Sequence, residues 1–209
     1  MLFPRVPDRI LLALACLCIV AVPTGSIADS DAALQPRTVR VQIETVLGDI
    51  LVELDPAHAP GTTANFLKYV DGGSYDGGRF HRTVTMGNQP DSKVLIEVVQ
   101  AGVNPDKAKS DAPPVLLERT SVTGLAHKDG TISMARGKPD SATSDFFICI
   151  NDQPSLDFGG ARNPDGQGFA AFGRVISGMD IVRQIQSARA EGQKLTPPVE
   201  IRRVVRLPA

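Results

Sequence analysis

Short apolar stretches that alternate with polar residues and stop at turn signals are what most constrain this chain. Val39, Val41 and Ile43 alternate with Arg40, Gln42 and Glu44, the period of a half-buried strand. Leu47-Gly48-Asp49 turns the chain into a second strand over 50–54, which Asp55-Pro56 ends, so the first unit is a β-hairpin. The period then changes. Over 59–70, Thr63, Phe66, Leu67 and Val70 fall on one helical face, with Thr62 or Thr63 available as the cap. Gly72-Gly73 closes that helix. Strands are expected over 93–100, 131–135, 146–150, 169–175 and 199–207. A short helix over 178–186 carries Met179, Val182 and Ile185 on its inner face. Short strands in this number, with one early and one late helix, build a closed antiparallel β-barrel with helices over its ends. The 19 glycines and 16 prolines among 209 residues supply the turns, above the average share of about 12%.

The first residues read as an address. Arg5 and Arg9 precede an apolar run over 10–22, followed by Pro23, Gly25 and Ser26-Ile27-Ala28. These are the parts of a secretory signal peptide, cleaved after Ala28. As a helix the run reaches about 20 Å, short of the ~30 Å hydrocarbon core, so no stable membrane insertion is expected after cleavage. The expected organisation is a signal peptide over 1–28, a flexible lead-in over 29–37 and one domain over 38–209, exported to the periplasm or secreted. Cys16 and Cys18 leave with the signal. Cys149 remains alone in an apolar strand, where a buried structural role is expected rather than a nucleophile.

Several chemistries are excluded. A formal charge of −1 leaves no basic footprint for nucleic acid. His58, His81 and His127 lack the paired spacing of zinc ligands. Neither a Walker A sequence nor a Gly-x-Ser-x-Gly elbow is present. Gly166-Gln167-Gly168 lacks the third glycine of a dinucleotide fingerprint and precedes a strand, so it reads as a turn.

One ordered set of segments remains. It comprises Leu47-Gly48-Asp49-Ile50, Ala59-Pro60 through Asn65-Phe66, Tyr75-Asp76-Gly77 through Phe80-His81-Arg82, and Gln100-Ala101-Gly102. It continues with Gly130 through Ala135, Asp140-Ser141 through Ile148, and Phe172-Gly173-Arg174-Val175 before Gly178-Met179. In this order the set resembles the cyclophilin family of peptidyl-prolyl isomerases across nearly all of the domain. The resemblance implies an eight-stranded antiparallel barrel with two capping helices, acting on X–Pro bonds of proline-containing polypeptides. It implies no metal or organic cofactor, and a monomer is expected. By resemblance, Arg82 is the catalytic hydrogen-bond donor and Gln100 its partner on the substrate backbone. Phe147 floors the proline pocket, Leu156 and Ala135 form walls, and His81, Val98, Arg136 and Phe169 complete the substrate-binding set. His81 is read as structural or as steering Arg82, not as a base.

The chain also departs from the family pattern. The spacing between Arg82 and Gln100 is long, so 83–92 is expected to form an extra loop beside the groove. Glu97 stands where phenylalanine is usual, and an ionised carboxylate suits an apolar pocket badly. Either Glu97 points away or the correspondence slips there. With the extra loop, Glu97 motivates a second reading, a proline-peptide-binding or chaperone module with little catalysis. Val98 replaces a common methionine, Arg136 an uncharged residue, and Phe169 a histidine or tyrosine. Ser155 occupies the position of a groove-rim tryptophan, and the chain has no Trp at all. By resemblance, that loss implies weak cyclosporin binding.

Overall fold

The computed structural model describes Met1 and residues 38–107 and 113–208. The expected signal peptide and lead-in therefore lie, apart from Met1, outside the described residues. Strand β1 (Val39–Thr45) pairs with β2 (Gly48–Leu54) as the expected hairpin. The remaining strands are β3 (Arg79–Val84), β4 (Val98–Gly102), β5 (Thr131–Met134), β6 (Phe146–Cys149), β7 (Ala170–Ser177), β8 (Ala190–Glu191) and β9 (Lys194–Arg206). Hydrogen bonds run in the order β1-β2-β7-β5-β6-β4-β3-β9, and β9 returns to β1. Eight antiparallel strands thus close into a barrel, with β8 as a short flap on β9. Closure leaves no long unpaired edge.

The helices are α1 (Pro60–Asp71), the single turn α2 (Thr120–Thr123) and α3 (Met179–Gln186). Phe66 projects from α1 into the barrel, where its ring lies 5.3 Å from Tyr75, 5.5 Å from Phe146 and 5.2 Å from Phe172. Val182 and Ile185 bury the inner face of α3, as their spacing predicts. Neither Thr62 nor Thr63 caps α1. The helix begins one turn earlier, with Pro60 in its first turn, where the missing N–H costs nothing. Both threonine side chains are buried, and their hydroxyls have no partner among the described residues. The free N–H groups go instead to a distant carboxylate: Glu118 accepts from Gly61 at 2.9 Å and from Thr62 at 2.7 Å.

Three strand expectations need correction. The mixed sequence of β3 gave no alternation, because its pairing shifts register between Phe80 and Arg82. Strand β4 starts at Val98, not at 93. The Gln89 side chain takes the backbone groups of Ile96, donating to its carbonyl at 2.8 Å and accepting from its N–H at 3.3 Å, so no ladder forms there. Strand β9 begins at Lys194 rather than 199. Pro197 and Pro198 read as a stop, yet they fall where β9 skips register between Lys194 and Val199 against β3, a place that needs no ladder donor.

Candidate active site

The site is one line of residues across the outside of the barrel. Ser133 on β5 pairs with Phe147 on β6, Phe147 with Gln100 on β4, and Gln100 with Arg82 on β3. Their neighbours Phe146, Ala101 and Phe80 face inward and are fully or almost fully buried. A regular strand would place Arg82 on the same face as Phe80. The bulge at His81 adds one residue on β3, where 80 pairs with 101 and 82 with 100, and so re-aims Arg82 outward. Phe146 and Phe147 divide as the sequence implies, one into the core and one into the groove.

A second, smaller apolar cluster lines the site: Val84, Ile96, Val98, Phe147, Cys149 and Leu156, with Ala135 and Phe169 against it. The groove measures about 440 Å³ and is bordered by Arg82, Val98, Gln100, Ala135, Arg136, Phe147, Leu156 and Phe169. Each of these is a residue expected from the sequence. His81 lies just outside, its Nε2 3.5 Å from the Asp145 carboxylate, and makes no bond to Arg82 among the described residues. Cys149 is fully buried, and burial pushes its thiol well above the ordinary range, as expected of a structural residue.

Arg82 is held from two sides. Its Nε and Nη2 donate to Gln193 Oε1 at 2.9 and 2.7 Å, and Nη1 donates to Gln100 Oε1 at 2.9 Å. One N–H on each terminal nitrogen has no acceptor among the described residues. Gln100 Nε2 donates in turn to Asp145 Oδ2 at 2.9 Å. No carboxylate pairs with Arg82 among the described residues. Partial burial, and then the like charge of Arg162, lower its pKa from the ordinary value, though the guanidinium stays charged at neutral pH.

The walls are equally fixed. Arg136, its side chain 1% exposed, donates through Nη1 and Nη2 to Asp165 at 2.8 and 2.9 Å. Its Nε donates to the Gly168 carbonyl, and its guanidinium lies 5.1 Å from the Phe169 ring centre. Phe169 meets Phe147 edge-on at 5.4 Å. Arg136 is therefore a neutralised prop for an aromatic wall. Behind Phe147 the buried His127 ring stacks at 6.0 Å, bonded to Asp157 at 2.7 Å and to Ser133 at 2.9 Å.

Glu97 points away from the groove and accepts from Asn151 at 2.8 Å and Gln186 at 3.3 Å. Ile96 takes the groove position instead. The period-2 alternation of 96, 98 and 100 carried that signal. The extra loop does lie beside the groove, but it starts at Thr85 rather than 83, because Thr83 and Val84 pair with Val99 and Val98 as the end of β3. Arg162 pins the loop, its Nη1 donating to Gln89 Oε1, Ser92 Oγ and the Val94 carbonyl at 3.0, 2.7 and 2.6 Å. Ser155, in the 3-10 turn Pro154–Leu156, puts no indole on the rim. Gln193, Arg162 and His127 went unassigned in the sequence. Two of them sit in turns, and a buried histidine carries no periodic signal.

Comparison with known proteins gives the same answer as the geometry. The model of the "Cyclophilin type peptidyl-prolyl cis-trans isomerase/CLD" family matches residues 39–206. Peptidyl-prolyl cis-trans isomerase cyp18 of Streptomyces antibioticus is 36% identical over 167 residues, covering 79% of this chain and 93% of the relative. Peptidyl-prolyl cis-trans isomerase B of Escherichia coli is 33% identical over 147 residues, covering 70% and 83%. Among solved structures, a cyclophilin-type isomerase of Cryptosporidium parvum crystallised with the dipeptide Ala-Pro superposes with a TM-score of 0.66 at 22% identity. It covers 81% of this chain and 99% of its own, which establishes a shared fold. With the barrel closed, the Arg82–Gln100–Phe147 line in place and the family match spanning β1 to β9, this chain belongs to the cyclophilin-type peptidyl-prolyl cis-trans isomerase family.

Proposed function

We propose that the groove binds proline-containing polypeptides and accelerates cis–trans rotation of the X–Pro bond, and that the protein works as an exported monomer. The planar amide opposes rotation with a barrier of roughly 18–20 kcal/mol. In the twisted transition state the prolyl nitrogen regains its lone pair and accepts a hydrogen bond that the planar ground state barely takes. A fixed donor aimed at that nitrogen therefore stabilises the transition state selectively.

The observation that carries this reading is the Arg82 guanidinium. Three bonds orient it, it has no counter-ion among the described residues, and it borders the apolar pocket of Phe147, Leu156 and Val98 with two N–H groups unspent. The proline ring is suited to that pocket, and the spare Gln100 N–H is available to the substrate backbone. No proton is transferred, so a permanently charged donor suffices. The binding-only reading rested partly on Glu97, which turns away from the groove.

Isomerisation of a proline peptide by the full chain, followed by exchange NMR, tests the reading. Arg82→Ala should lose about 100- to 1,000-fold in rate, the usual cost of one transition-state donor. Full activity in that variant would sink it. Export rests on the charged start, apolar run and Ala28 site. N-terminal sequencing of the mature protein should begin at Asp29, and sedimentation should give a single-chain mass.

A further inference from the structure

The Arg162 guanidinium borders the groove together with Arg82, Ile96 and Asn163. Its Nη1 is committed to the extra loop, whereas Nε and Nη2 have no acceptor among the described residues. Its three partners are neutral oxygens, and no carboxylate lies within ion-pair distance among the described residues. The neighbouring Arg136 is different, since Asp165 neutralises it. The one carboxylate that borders the groove among the described residues, Asp145, lies across the Gln100 amide from Arg82: Gln100 presents Oε1 to Arg82 and Nε2 to Asp145. Unbalanced positive charge is thus concentrated on the Arg82–Arg162 side. Arg82 spends its charge on the reacting bond. Arg162 is fixed through one nitrogen, with the rest of its fork unspent.

We infer that Arg162 is a specificity-determining residue, selecting substrates that carry an aspartate or glutamate next to the proline. The carboxylate accepts from the free Nε and Nη2 side by side, the fork geometry that suits arginine better than lysine. Arg162 is only partly buried, so the discrimination is modest. A partly exposed pair of this kind corresponds to about twofold to fivefold in kcat/KM. Salt weakens it, because the screening length at ~0.5 M falls to a few ångströms.

The inference rests on the isomerase reading, and its test separates the two. Peptides identical except for Glu, Gln or Lys are compared, varied once at the residue before proline and once at the residue after. Turnover of the Gln peptides tests the isomerase reading; the Glu-to-Gln ratio tests the role of Arg162. If no peptide turns over, that reading fails, and the ratio is taken from dissociation constants instead. The expected order in at least one series is Glu, then Gln, then Lys. The Glu-to-Gln ratio should be about twofold to fivefold at low salt and fall toward one at ~0.5 M. In Arg162→Gln the ratio should fall to about one, and in Arg162→Lys it should stay above one. Loosening of the loop would lower both rates together and leave the ratio unchanged. A ratio of one in both series, or a ratio that survives in Arg162→Gln, overturns the inference.

Discussion

Gln193 contributes no atom to the proposed reaction, yet Gln193→Ala should slow it. Two of the three bonds that orient Arg82 end on its Oε1, at 2.9 and 2.7 Å, and the variant leaves only the bond to Gln100. A bond to a charged donor is worth about 1.5–3 kcal/mol when lost outright. Arg82 is half-buried, so water replaces part of this, and a net loss of about 1–2 kcal/mol is reasonable for the pair. That converts to roughly a fivefold to thirtyfold fall in kcat/KM. The fall should lie mainly in kcat, since the apolar pocket that binds the proline is untouched. The Gln193 side chain also donates through Nε2 to the Asn88 carbonyl at 3.2 Å, a weak contact to the loop, while its backbone carbonyl, which accepts from Thr83, survives the substitution, so the fold should be kept. Steady-state kinetics on a neutral proline peptide, repeated in an Arg82→Ala background, give the double-mutant cycle. Acting only through Arg82, Gln193→Ala should cost nothing further there. Wild-type activity in the single variant, or the same loss with and without Arg82, would refute the reasoning.

Other consequences can be measured independently. Phe146 is enclosed by Phe66, Tyr75 and Phe80, so Phe146→Ala should cost about 3–5 kcal/mol in denaturant unfolding. Its neighbour Phe147 faces the groove and leaves no sealed cavity, so Phe147→Ala should cost only ~2 kcal/mol while abolishing saturable peptide turnover. Glu118→Ala should lower stability by about 1–2 kcal/mol through the lost α1 N-terminus, and a thermal melt that does not move would contradict this. Hydrogen bonds from Arg136, then Gln167, hold the Asp165 carboxyl down at about 2 against an ordinary 3.8. A depressed pKa contributes fully above the unfolded value and is lost as pH falls through the folded one. Peptide affinity, followed by NMR titration, should therefore persist at pH ~4 and fail toward pH ~2, with kcat flat around neutrality; a bell-shaped profile there would oppose the mechanism. Cyclosporin should inhibit weakly, because Ser155 offers no indole donor, and inhibition typical of tryptophan-bearing relatives would reject that.

The sequence by itself determined the architecture and most of the groove. Alternation at Val39–Ile43 and a helical face through Phe66 and Val70 are local patterns, and each is fixed by a side chain's choice between core and water. Adjacent Phe146 and Phe147 must face opposite ways on any strand, so their division between core and pocket was legible too. Tertiary structure alone decided three things. The bulge at His81 turns Arg82 from the core side to the groove, and a bulge depends on the register of two partner strands at once. The capping of α1 comes from Glu118 rather than from the nearby threonines, because a carboxylate 57 residues away reaches the free N–H groups that Thr62 and Thr63 turn their backs on. Gln193 and Arg162 enter the site from turns remote in the chain, where residue type is unconstrained locally and only closure of the barrel brings them beside Arg82.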